Sequence, residues 1–132
     1  AEEVHLTALT VLVEGLIELG LLSGDSEGVI ERGDYRHLYM HRTGHWLGLD
    51  VHDVGAYRLG EKPANLTEGM VLTVEPGLYV SDRLAVPEGQ PAIDDRWKGI
   101  GIRIEDDVAV VKGGCEVMTA AAKKSLAAME KL

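Results

Sequence analysis

The hydrophobic period of this chain changes at Tyr35, and that change constrains its fold more than any other feature. Before it, residues 4–19 carry apolar side chains at positions 6, 9, 12, 13, 16, 17 and 19. That is close to the 3.6-residue repeat of an amphipathic helix, and Gly20 supplies a stop. A second, short helix is predicted over 25–33, with Asp25 or Ser26 as its cap and Gly33 as its end. After Tyr35, short runs rich in Val, Ile, Leu and Tyr alternate with Gly, Pro, Asn and Asp, the pattern of strands and turns. In "GMVLTVEPGLYV", Val71, Thr73 and Glu75 share one strand face and Met70, Leu72 and Val74 the other, before Pro76-Gly77 interrupts the run. "GIGIRIEDDVAVV" reads as another strand. Ile100, Ile102 and Ile104 lie on one face, with Gly101, Arg103, Glu105 and Asp107 on the opposite one. Residues 81–98, with Pro87, Pro91 and Trp97, read as a long excursion between strands. "SLAAMEKL" suits a short terminal helix capped by Ser125. Helices followed by strands predict a single α+β domain over 1–132 with an antiparallel sheet.

Charge and cysteine use narrow the function classes. With 22 acidic and 13 basic residues, the net charge of −9 repels phosphate backbones, so nucleic-acid partners are not expected. No apolar run approaches a membrane span, and no signal peptide is visible. The lone Cys115 cannot pair internally and reads as a residue without a role, which suits a cytoplasmic setting. The chain opens directly on a helical pattern, as an excised piece of something longer would.

The chemistry concentrates in "MHRTGHWLGLDVHDVG", residues 40–55, which holds His41, His45 and His52, three of the five histidines. In a straight strand His45 and His52 would face opposite ways, so a shared site requires the chain to bend, with Gly48 the expected place. Histidine is the common metal ligand and general acid or base, yet no HExxH or CxxC zinc signature is present. Two carboxylates complete the pattern. Glu75 ends an apolar run just before Pro76-Gly77, and Glu105 follows Ile104 in another. Burying either is costly without a cation or donors. Arg103 shares a strand face with Glu105 and could pair with it on a solvent-facing side. Two carboxylates from separate apolar strands plus a histidine beside glycine form a donor set for hard divalent cations, and carboxylates can bridge two of them.

In this order, "HRTGHWLGLDVHDVG", "GMVLTVEPGLYV" and "GIGIRIEDDVAVV" resemble the proline-specific metallopeptidases with the pita-bread fold, aminopeptidase P above all and prolidase as close kin. The resemblance covers nearly the whole chain. It implies the C-terminal half of a pita-bread catalytic domain, with helices packed on a curved antiparallel sheet. It also implies hydrolysis of an N-terminal Xaa-Pro bond supported by two divalent ions, usually Mn²⁺. By position, His45, Glu75 and Glu105 resemble metal ligands, Glu105 bridging both ions and Glu75 also accepting a proton. His52 resembles a substrate-contacting histidine, His41 one lining the proline pocket, and Arg103 part of the surrounding hydrogen-bond network. Two further aspartate ligands and another substrate-side histidine are implied upstream, and nothing before His41 supplies them. The isolated chain is therefore expected to be inactive and its intact parent a homo-oligomer acting on peptides with proline second. Prolidase, or a non-catalytic peptide-binding module of the same fold, are the alternatives. A cupin-like barrel lacks its His-x-His cluster here.

Overall fold

The computed structural model describes residues 2–131. Among them are three helices and nine short strands, all strand pairs antiparallel, as the α+β reading expects. They form two compact units: residues 44–75 with 104–131, and residues 2–43 with 76–103.

The unit containing residues 2–43 and 76–103 is built on helix α1 (Glu2–Glu18) and helix α2 (Ser26–Arg32). Helix α1 buries the stripe Leu9, Val13 and Leu16. It stops at Gly20, whose φ of 72° is left-handed. There the Gly20 amide donates to the Ile17 carbonyl and the Leu21 amide to that of Leu16, the paired bonds that satisfy a helix's orphan carbonyls. The cap of α2 is Asp25, whose carboxylate accepts from the Gly28 amide at 2.7 Å. That bond is also the main reason the Asp25 carboxyl is held below its ordinary range. These helices pack with Leu21, Leu22, Leu38, Tyr39 and Val80 into one apolar core. Strand β6 (Gly77–Tyr79) pairs with β7 (Gly101–Arg103). The excursion between them holds only a 3₁₀ turn, Asp95–Trp97. Gln90 fastens this excursion through bonds to the Ser23 backbone and the Asp34 carboxylate.

In the other unit, a hairpin of β1 (Leu47–Gly48) and β2 (Val51–His52) is followed by a second, β3 (Arg58–Leu59) with β4 (Lys62–Pro63). A three-stranded sheet then runs in the order β5 (Val71–Val74), β8 (Asp106–Val111), β9 (Gly114–Val117). Cys115 lies exposed on β9. Helix α3 (Leu126–Met129) begins after Ser125, whose backbone carbonyl, rather than its side chain, accepts the first helical bonds. The final residue of "SLAAMEKL", Leu132, lies outside the described residues.

Three expectations are corrected. The strand read across residues 99–111 is two strands, β7 and β8, separated at Ile104–Glu105 because each pairs with a different partner. Of Ile100, Ile102 and Ile104, only Ile102 lies in a strand, and all three are 45–58% exposed. Glu105 is accordingly exposed rather than buried in an apolar strand. Among the described residues, no helix is long and apolar enough to cross a membrane.

Candidate metal centre

The bend needed between His45 and His52 is a tight hairpin rather than a kink at Gly48. The chain reverses at Leu49–Asp50, pairing Leu47 with His52 and Gly48 with Val51. Gly48 is needed for space: a Cβ there would lie 2.7 Å from that of Asp53. Val51 follows with φ 70°, a conformation that costs a β-branched residue on the order of 1–3 kcal/mol. The reversal brings the rings of His45 and His52 to a centroid distance of 4.1 Å, with His52 exposed.

Strand register supplies the carboxylates. Val74 pairs with Asp106 at the end of the β5–β8 ladder, so Glu75 leaves β5 and Glu105 enters β8 at the same end of the sheet. A histidine stands over this pair. Trp46 bridges to Leu72, and the Thr73 amide donates to the His45 carbonyl at 2.9 Å. One ligand atom each from His45, Glu75 and Glu105 lies within 4.8 Å of the others. His45 Nε2 is 3.2 Å from Glu75 Oε1.

The histidine is oriented from behind. His45 Nδ1 lies 2.9 Å from the Trp46 carbonyl, which only accepts, so Nδ1 donates there and the Nε2 edge of the ring faces the Glu75 carboxylate. Trp46 is itself fixed, its amide donating to the Tyr57 hydroxyl and its indole stacked on the Tyr57 ring. One imidazole nitrogen and two carboxylates within reach of one another are a donor set suited to a divalent cation, so the residues present fit a metal.

Of the predicted site residues, the structure thus brings together His45, His52, Glu75 and Glu105. His41 and Arg103 belong to the other unit, where they meet on a residue the sequence reading passed over, Tyr79. Arg103 Nε donates to the Tyr79 hydroxyl at 2.8 Å. His41 Nδ1 donates to the Arg42 carbonyl, leaving Nε2 to accept from the Tyr79 hydroxyl at 3.2 Å. Thr73, a plain strand position in the sequence pattern, also belongs to the site. Its hydroxyl contacts both the His45 amide and Glu75. The sole hint in sequence was a hydroxyl amid the apolar run of β5.

Helices with antiparallel strands and a His/Glu/Glu donor group define a chain of the metallopeptidase class. It belongs to metallopeptidase family M24, whose profile matches residues 1–112. The chain is 46% identical over 125 residues to the Xaa-Pro aminopeptidase of Haemophilus influenzae, covering 94% of this chain and 27% of that protein. It is 44% identical over 131 residues to the Xaa-Pro aminopeptidase of Escherichia coli K12, covering 98% and 28%. Among solved structures, Pseudomonas aeruginosa aminopeptidase PepP superposes with a TM-score of 0.85 at 46% identity, over 96% of this chain and 27% of that one. The fold is the pita-bread fold that the resemblance implied. This chain spans a little over a quarter of the length of these relatives.

Proposed function

We propose that these residues form one side of a two-metal centre that hydrolyses N-terminal Xaa-Pro bonds in the full-length protein. The observation that carries this reading is the convergence of His45, Glu75 and Glu105 within 4.8 Å. His45 Nε2, Glu75 and Glu105 would hold the cations, with Glu105 as the bridge and the remaining ligands supplied from outside these 132 residues. Two divalent ions, Mn²⁺ in this reading, would supply Lewis-acid polarisation of the scissile carbonyl and of the attacking water. Glu75 accepts the proton from that water. His52, exposed beside His45, contacts the substrate around the scissile bond. His41 lines the proline subsite, and Arg103 supports the surrounding network through Tyr79; both roles rest on the resemblance. A non-catalytic binding module would have no use for this donor set.

The chain by itself should be inactive and bind metal only weakly, since loss of direct ligands should exceed the roughly 10–100-fold cost of losing an outer partner. The working protein is proposed to be cytoplasmic and homo-oligomeric. The test is hydrolysis of an Xaa-Pro-Yaa tripeptide by the Mn²⁺-loaded full-length protein. Cleavage restricted to Xaa-Pro dipeptides would assign it to prolidase instead, and two sub-micromolar Mn²⁺ sites on the isolated chain would refute the half-site.

A further inference from the structure

We propose that Thr73 is a positioning residue for metal binding, its buried hydroxyl tying the backbone of one ligand, His45, to the carboxylate of another, Glu75. This rests on the metal-centre reading above and adds how the centre is set in place before a cation arrives.

Thr73 is 1% exposed. Its Oγ1 lies 3.0 Å from the His45 amide nitrogen and 3.1 Å from Glu75 Oε1. A hydroxyl has one proton to give and two lone pairs. The His45 amide can only donate, so Oγ1 accepts from it, and the hydroxyl proton is left for Glu75. The direction of both bonds is therefore determined. Oε1 must accept, and the carboxylate loses rotational freedom that it would otherwise lose on binding the cation. In the reverse direction the Thr73 amide donates to the His45 carbonyl at 2.9 Å, so the two segments are clasped by backbone and side chain together.

The identity of the residue points the same way. Thr73 is neither a cap nor a turn residue but sits within β5, between Leu72 and Val74. Valine would fill that space and satisfy the strand at least as well, without the cost of burying a hydroxyl. What the hydroxyl adds is the link between the two metal donors.

The experiment titrates the chain with Co²⁺, read by its visible absorption bands, alongside thermal unfolding of each variant. Wild type should bind Co²⁺ weakly but measurably. T73V should remain folded, bind about 10–100-fold more weakly and show altered bands, as expected when a ligand loses its orienting partner. T73S should restore affinity to within about 3-fold and recover the wild-type bands, since it keeps the donor and acceptor. A folded T73V with wild-type affinity and spectrum would overturn the proposal while leaving the metal centre standing. Absence of any Co²⁺ signal from wild type would instead overturn the metal-centre reading and this proposal with it. Should T73V fail to fold, NMR of wild type decides. A slowly exchanging Thr73 hydroxyl proton with a cross-peak to the His45 amide is expected, and a rapidly exchanging one refutes the clasp.

Discussion

Substituting Gly44 with alanine should damage the metal centre without touching any of its ligands. The Gly44 Cα faces the backbone of Thr73, and an added Cβ would lie 1.9 Å from the Thr73 carbonyl oxygen and 2.9 Å from its carbon. Neither atom belongs to a flexible side chain, so the two segments must separate. Relief of the clash strains two clasping bonds, the His45 amide to Thr73 Oγ1 and the Thr73 amide to the His45 carbonyl, at 3.0 and 2.9 Å. Each contributes about 1 kcal/mol, and overpacking a closely fitted contact adds about 1–3 kcal/mol. The expected loss is therefore about 3–5 kcal/mol, or a Tm lowered by roughly 10 °C or more. Urea and thermal unfolding of the chain would measure it. Gly15→Ala is the control: nothing lies within 4 Å of its added Cβ, and the exchange within helix α1 should stabilise by about 1 kcal/mol. Co²⁺ affinity should fall with G44A and not with G15A. A G44A chain within about 1 kcal/mol of wild type, with unchanged Co²⁺ binding, would refute the close approach on which the site depends.

In the full-length protein, Glu75→Gln should lower kcat/KM by about 10²–10⁴-fold through loss of the proton acceptor alone. His45→Ala should strip at least one metal and His52→Ala should lose turnover with metal retained; metal analysis beside peptide hydrolysis would expose an exchange of those roles. Stability should fall as the medium is acidified. Burial holds His5 and His37 below the ordinary 6.5, with Arg42 adding to the effect at His5. Their contribution is present above pH 6.5 and is lost as pH falls through the lowered folded values, because the unfolded chain takes up the protons first. Protonation of His5 would also remove its Nδ1 as acceptor for the Thr43 amide, 3.3 Å away. Urea midpoints between about pH 8 and pH 5 should show this slope, and His5→Gln should flatten it; an unchanged slope would refute the assignment. Leu49 and Val54 stand fully exposed and β9 offers an open sheet edge. The chain should therefore self-associate, and light scattering from a clean monomer at about 1 mM would contradict that.

The parts legible in the sequence were those set by neighbours along the chain. Asp25 caps α2 because its carboxylate reaches an amide three residues on, and Gly20 ends α1 because a left-handed turn favours glycine there. The switch of hydrophobic period announced α+β, and the order of the His45, Glu75 and Glu105 motifs marked the donor set. Tertiary structure decided what depends on partners distant in sequence. The pairing of β5 with β8 and β6 with β7 split the run at Glu105 and left its carboxylate within reach of Glu75. A two-residue turn, rather than a glycine bend, returned His52 to His45. The direction of the Thr73 hydroxyl and the space denied at Gly44 follow from contacts between residues far apart in the chain. Periodicity and capping are written locally, whereas register and hydrogen-bond direction exist only once the strands have paired.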